Sequence, residues 1–409
     1  MTSNHALTAR DAANELGISL PTLYAYVSRG LIHSEPGPEG SRQRRYRHAD
    51  VLALKDRQAQ RRDPAHSVET ALDWGTPVLE SAITLIEGNR LYYRGHDAIR
   101  LARTHQFESV IEILWSDKLV SVNGGPSERH PYERPQALVA LGPLERFQAV
   151  LPLLASADPA AYDLRPPALS RAGRSILMAM VEELGGDATT GSIAHSLAAR
   201  WASEKDYAER LIDAALIVSA DHELNSSSFT VRCVASVGAP LYDAIDAGIC
   251  ALRGVRHGAA SQRVEALLAE VDTPERAPAV LEARLRRGER IPGFGHQLYP
   301  GGDPRGAVLI DLCHELAPDD QALMLTDATA AAAEALIGDR PNVDFGLVIV
   351  ARTLGLDRGS ALSLMALGRS AGWVAHALEQ YQQNRMIRPR AKYIGPAPIR
   401  SVEMEQDAE

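Results

Sequence analysis

Residues 293–305 read GFGHQLYPGGDPR, with four glycines, two prolines, one histidine (His296) and a closing arginine, Arg305. Backbone this permissive breaks any helix. Yet the sequence on either side keeps the three- and four-residue apolar spacing of helices, as in FESVIEILW and AERLIDAALIVSA. A histidine held on glycine-rich backbone stands where main chain can approach a ligand closely. Three more islands interrupt the helical pattern in the same way. They are ADHELNSSSFTVR (220–232), GVRHGAASQRVEALL (254–268) and RPNVDFGLVIV (340–350). Strand-like alternation is scarce and aromatics make up only 5%, so the body is expected to be all-α.

Each island also has a plain structural reading. A histidine beside a glycine serves as a cap or a satisfied polar residue, Asp344 reads equally as an N-cap, and Arg305 as a partner for helix C-terminal carbonyls. The joint pattern says more. His222, His257, His296 and Asp344 all occupy breaker-rich junctions at helix ends, where backbone N–H groups and side chains meet ligands. Asn225 and Ser226 stand as caps of the helix after His222. No HExxH or paired Cys/His spacing supports a metal, and no GxxxxGK[ST] or GxGxxG run is present. Two imidazoles and a carboxylate suit proton abstraction beside a carbonyl. The carboxylate takes the proton, a neutral imidazole donates to the developing enolate oxygen, and a second acid serves the acceptor carbonyl. A histidine at a helix N-terminus is kept neutral, and His257 stands there if GAASQRVEALL opens a helix.

The chain has 409 residues, enough for two or three domains, and 45% of them are apolar. No apolar run approaches the ~20 residues that span a membrane. The N-terminal MTSNHALTAR lacks a signal-peptide core. Cys233, Cys250 and Cys313 are widely spaced and read as reduced, partly buried thiols, so the expected location is the cytoplasm. Charge divides unevenly. Residues 1–63 hold ten Lys/Arg against seven Asp/Glu, and the remaining 33 against 45 give the body −12 of the total −9. A basic head on an acidic body points to two kinds of partner.

The head begins with LTARDAANELGISLPTLYAYVSRGLI. Ala12, Ala13 and Leu16 form one apolar stripe, Gly17 turns the chain, and Ser19 caps a second helix with Pro21 in its first turn. A Pro/Gly loop and the basic RQRRYR suit a small wing, and a further helix is expected from about His48. These residues resemble the MerR/excisionase type of winged helix-turn-helix. That resemblance implies DNA as a partner, with Thr22 and Tyr24 on the second helix and Arg42, Arg44 and Arg45 on the wing as contacts. The alternative is a folded packing appendage. Residues 64–74 read as a linker, and the stretches 120–135 and 155–170 as surface loops. VLESAITLIEGNRLYYRGHDAIRLA predicts a short strand pair with a Gly-Asn turn entering a helix.

Six pieces resemble the citrate synthase family in order and spacing. They are LYYRGHDAIRLA, ADHELNSSSFTVR, GVRHGAASQRV, GFGHQLYPGGDPR, PNVDF and GRSAGWVAHALEQ with RMIRPRAKYIG. The resemblance implies acetyl-CoA and oxaloacetate as substrates, citrate as product, a homodimer, and no metal or redox cofactor. His257 then holds the acetyl-CoA enol, Asp344 removes the methyl proton, and His296 serves the oxaloacetate carbonyl. His222, Arg305, Arg388 and Arg400 bind oxaloacetate, the last from a neighbouring subunit. Backbone at Ile291, Pro292, Gly293, Phe294 and Gly295 faces coenzyme A. The implied large domain spans 75–250 and 350–395, the small domain 251–349, and a tail 396–409. Arg256 stands where the family has an apolar residue, GAAS replaces GGAN, and Gln297 and Pro300 replace common basic residues. These departures bear on coenzyme A contacts and acyl choice. A 2-methylcitrate synthase, a citryl-CoA lyase and a metabolite-sensing DNA-binding regulator remain alternatives.

Overall fold

The computed structural model describes residues 6–29, 32, 34–36, 44–47, 51, 54, 79–116, 132–187, 191–396 and 398. The chain divides into two units, 1–80 and 81–409.

In the first unit Thr8 caps α1 (Ala9–Leu16) by accepting the Asp11 N–H, and Gly17 closes it at φ 63°. Ser19 caps α2 (Leu20–Ser28), with Pro21 in the first turn as expected. Ala12, Ala13, Leu16 and Leu23 bury against Ile32 and Tyr46. Three short strands, β1 (Ala6–Leu7), β2 (Ser34–Pro36) and β3 (Arg44–Arg47), pair antiparallel in the order β1-β3-β2. The pair β2–β3 stands where the wing was expected. Val51 and Leu54 are helical and buried, but the rest of that helix, Arg42 and the expected linker lie outside the described residues.

The second unit opens with a hairpin, β4 (Thr84–Glu87) and β5 (Arg90–Tyr93). Its turn residues Gly88 and Asn89 both have positive φ, 58° and 64°, the geometry Asn and Gly supply in tight hairpins. A third strand, β6 (His96–Asp97), pairs with β5, which the two-strand reading did not include. Asp97 then caps α3 (Ala98–Thr104).

Among the described residues every regular element after this is a helix. Residues 166–170, expected as loop, instead open α6 (Pro166–Glu183), following α4 (Phe107–Ser116) and α5 (Pro143–Ala157). The paired prolines that looked like loop punctuation sit at the first helical positions, where a missing N–H breaks no bond. α7 (Ile193–Trp201), α8 (Ala208–Ser219), α9 (Ser226–Ala235) and α10 (Leu241–Leu252) follow. Next come α11 (Ala260–Val271), α12 (Ala277–Arg286), α13 (Pro304–Leu316), α14 (Gln321–Ile337) and α15 (Val343–Leu354). The last, α16 (Ser360–Gln383), is buried on nearly every face and packs on α6, α8, α9, α10 and α15. A helix apolar all round belongs at the centre of a large core. It passes so close to the turn after α8 that a Cβ at Gly372 would stand 2.1 Å from the Ala220 carbonyl oxygen.

Candidate active site

The site gathers where chain segments end helices. After α8 the chain turns through Asp221 and His222, both buried, and Glu223 adopts φ 55°. Asn225 then caps α9, its Oδ1 accepting the Ser227 and Ser228 N–H groups at 3.1 Å each. The turn is anchored from three sides. The Asp221 carboxylate accepts from Thr84 Oγ1 at 2.6 Å and meets His376 Nε2 at 3.2 Å. The Tyr93 hydroxyl reaches the carbonyls of Ile217 and Asp221 at 2.9 and 3.1 Å. Burial alone would raise the Asp221 carboxyl, but His376, Arg369 and Thr84 outweigh it and hold the group ionised.

The opening stretch is pinned to the segment before α15. Asn342 N–H donates to the Gly293 carbonyl at 2.9 Å, Gly295 N–H to the Arg340 carbonyl at 2.9 Å, and Asn342 Nδ2 to the Gly295 carbonyl at 3.1 Å. Gly295 has φ 71°, and an added Cβ would stand 2.9 Å from Asp339 Oδ2, so only glycine fits this crossing. Asn342 Oδ1 also caps α15 through the N–H groups of Asp344 and Phe345. Asp344 is thus a first-turn residue, and Asn342 is the cap. Asp303 adds a second tie. Its carboxylate binds Arg305 Nε at 3.0 Å and a terminal Arg305 nitrogen at 2.7 Å, and accepts the Val343 N–H at 3.1 Å. Arg305 therefore pairs within its own helix start and does not serve a helix C-terminus.

Around this frame the rings of His222 and His296 meet edge to face, with centroids 5.0 Å apart. Tyr299 stands beside both, and the Arg305 guanidinium lies 5.4 Å above its ring. A cavity of about 280 Å³ opens here, lined by His296, Tyr299, Gly295, Gly301, Asp339 and Arg340 among others. His257 precedes α11 in a turn, and its Nε2 lies 2.9 Å from the Ser227 hydroxyl. That hydroxyl accepts from Trp373 Nε1 at 3.2 Å and donates to Asn225 Oδ1 at 2.7 Å.

The electrostatics fit neutral imidazoles beside a reluctant carboxylate. Burial, with Arg369 as a second cause, lowers His257 to about 4. Burial and Arg305 lower His296 to about 4, against the pull of Asp303. His222 falls well below the usual imidazole value through burial and then Arg305. Burial pushes Asp344 up to about 7, although Arg305 opposes it, and its Oδ1 is sealed with no hydrogen-bond partner among the described residues. His296 Nδ1 accepts the Leu298 N–H at 3.1 Å, which puts the proton of the neutral ring on Nε2.

The predicted residues fall into groups. His222, His296 and Arg305 pack around one tyrosine, and Asp344 feels the charge of Arg305 and Arg369. Arg369 acts on His257 as well. Ile291 and Gly293 are buried, while Pro292, Phe294 and Gly295 are half-buried, with the Phe294 and Phe345 rings tilted at 54° and their centroids 4.9 Å apart. Arg388 is exposed in the extended segment after α16. Arg400 lies outside the described residues. In the first unit Tyr24 is exposed and Arg44 bonds Ser34 Oγ at 3.0 Å. Thr22 and Arg45 are half-buried there. Among the described residues no group of three or more His, Cys, Asp or Glu is arranged to hold a metal.

The sequence reading passed over Arg369. It is fully buried in α16, and its Nε donates to the Ser219 carbonyl at 2.7 Å. The signal was present in GRSAGWVAHALEQ, an arginine inside an otherwise apolar helix, which must have a buried counter-charge. Ser227, Asp303 and Tyr299 were also missed, because their roles depend on contacts between distant segments.

Known protein families match both units of the chain. The family model for the citrate synthase C-terminal domain matches residues 71–390, and a helix-turn-helix domain model matches residues 6–59. Citrate synthase 2 of Bacillus subtilis is 30% identical, the match covering 82% of this chain and 98% of the relative. A 2-methylcitrate synthase 2 of Corynebacterium glutamicum is 28% identical over 76% of this chain and 90% of its own. The crystal structure of citrate synthase from Thermotoga maritima superposes with a TM-score of 0.66 at 27% identity, covering 82% of this chain and 98% of that one. A ternary complex of Thermoplasma acidophilum citrate synthase with carboxymethyl coenzyme A and oxaloacetate shares the fold, with a TM-score of 0.67 at 22% identity over 80% of this chain and 97% of its own. With its six motif segments in one helical body and a helix-turn-helix ahead of them, the chain belongs to the citrate synthase family.

Proposed function

We propose that the protein condenses acetyl-CoA with oxaloacetate and hydrolyses the resulting citryl-CoA to citrate and coenzyme A. The observation that carries this is Asp344, a sealed carboxylate with no partner for Oδ1, in the field of two buried arginines and near neutral histidines. Asp344 takes a proton from the acetyl methyl group. His257 donates to the thioester oxygen as the enolate forms. Its Nε2 faces Ser227, so this role requires the Ser227 O–H to turn from Asn225 Oδ1 to Nε2, leaving the imidazole proton on Nδ1. Asn225 Oδ1 tolerates that choice because it already accepts two backbone N–H groups. The enol carbon attacks the oxaloacetate carbonyl, whose oxygen is met by His296 Nε2–H. Arg305 and Arg369 neutralise the two carboxylates, with Arg388 and Arg400 as further clamps in a homodimer. Water then releases the coenzyme A thiol.

In this reading 251–349 closes over 75–250 and 350–395 to exclude water. The backbone at 291–295 meets coenzyme A. The steps use these side chains, acetyl-CoA, oxaloacetate and water, and the setting proposed from the reduced cysteines is the cytoplasm. Among the described residues no helix is long and apolar enough to cross a membrane. His257→Ala or Asp344→Ala should each cut turnover by about 10²–10⁴-fold; turnover within a few-fold of wild type would end the assignment. The matches to 2-methylcitrate synthases keep propionyl-CoA as a second acyl donor. The ratio of kcat/KM for the two thioesters decides between them.

The helix-turn-helix supports a second, compatible role in DNA binding. Arg10, Arg44 and the exposed Tyr24 line an open groove beside α2. Gel shifts with the full chain on its own promoter region, at two salt concentrations, test it. Binding that salt does not weaken would count against phosphate contacts.

A further inference from the structure

Tyr299 stands inside the site, but the proposed chemistry gives it no task. Its side chain is buried, and its hydroxyl has one partner among the described residues, His222 Nε2 at 3.0 Å. A buried hydroxyl proton needs an acceptor. Burial also pushes the phenol up to about 12, so it keeps that proton at neutral pH. His222 is neutral there, so its Nε2 can accept. A neutral imidazole that accepts at Nε2 carries its own proton on Nδ1. No described residue bonds His222 Nδ1, and it is not among the sealed polar atoms. The other ring in reach is His296, whose own donor is Nε2–H. Arg305 lies over the Tyr299 ring and is held by Asp303, which keeps the phenol from sliding away.

We propose that Tyr299 is a positioning residue: its hydroxyl donates to His222 Nε2 and thereby fixes the Nδ1–H tautomer, with which His222 binds a carboxylate oxygen of the 2-oxo dicarboxylic acid. This rests on the substrate reading above. It adds which imidazole nitrogen meets the substrate and what sets that choice. Fixing the tautomer in advance removes a reorganisation step from binding, so Tyr299 acts on substrate affinity more than on the chemical step.

The test uses the full chain with four variants. Tyr299→Phe keeps the ring under Arg305 and removes only the hydroxyl. It should raise the oxaloacetate KM about tenfold and change kcat by no more than about threefold. His222→Asn places an amide N–H near the Nδ1 position, and His222→Gln places one near Nε2. The Asn variant should therefore bind oxaloacetate more tightly than the Gln variant. In protein labelled with ¹⁵N-histidine, the His222 signal, assigned by its loss in His222→Asn, should report Nδ1 protonated in wild type. In Tyr299→Phe it should move toward Nε2 protonation. A thermal unfolding curve for each variant confirms folding. Two outcomes overturn the inference: an unchanged tautomer and KM in Tyr299→Phe, or tighter binding by His222→Gln than by His222→Asn. If oxaloacetate is no substrate of the wild-type protein, the functional reading fails, but the ¹⁵N signature still decides whether Tyr299 sets the His222 tautomer. A fourth variant, Asp303→Asn, should loosen Arg305 and raise the KM without moving the His222 proton.

Discussion

The Asp344 carboxylate is costly to ionise where it stands. Burial raises it to about 7, while an unfolded aspartate ionises near 3.8. Because the folded pKa is raised, the folded state holds its proton more tightly than the unfolded state between those values. Asp344 therefore lowers stability progressively as pH rises from about 4 to 7. Asp344→Asn should raise Tm by a few degrees at pH 8, have little effect near pH 4, and lower kcat by at least about a hundredfold. In the wild type kcat/KM should fall as pH drops through about 7, since the base must be ionised. Stopped assays across pH 5.5 to 8.5 would show this; a flat profile would contradict the role. At this scale the sequence was informative where a residue broke its local pattern. His222, His257, His296, Asp344 and Arg305 stood out because glycines, prolines or caps flank them. Arg369 did not, because its neighbours in α16 are helical, and only the packed structure shows Asp221 and Ser219 beside it.

At the scale of elements, the site depends on a few backbone crossings. Asn342 caps α15 and also ties it to the Gly295 carbonyl. Asn342→Ala should cost about 1–2 kcal/mol of stability and reduce kcat as well, because it loosens both Asp344 and His296. The β4–β5 hairpin makes a similar tie. Asn89 donates to the Gly302 carbonyl at 2.9 Å and accepts the Gly301 N–H at 3.2 Å, holding the loop that carries Tyr299. The Gly-Asn turn was legible from two letters. Its second use, as a clamp on a loop more than 200 residues away, was not, since no local pattern encodes a contact of |i−j| = 213. Thr8, Ser19, Asp97, Asn225, Asp303 and Asn342 each cap a helix start. The paired prolines at 166 and 167 misled because they punctuate loops and open helices by the same fixed φ.

At the scale of the molecule, a basic head precedes an acidic body, and the two units should respond to salt in different ways. DNA binding by the full chain should weaken steeply with salt. Arg44→Ala should weaken it for all sequences and reduce the log–log slope by about one. Turnover, which depends on a buried site, should change little over the same range. The central claim concerns the chemistry of the buried site, and thiol release from acetyl-CoA by the purified full chain, with and without oxaloacetate, tests it most directly. The account predicts release of coenzyme A that requires oxaloacetate and is lost in Asp344→Asn. Release that is absent with acetyl-CoA and with propionyl-CoA, or that proceeds equally without oxaloacetate, would contradict it.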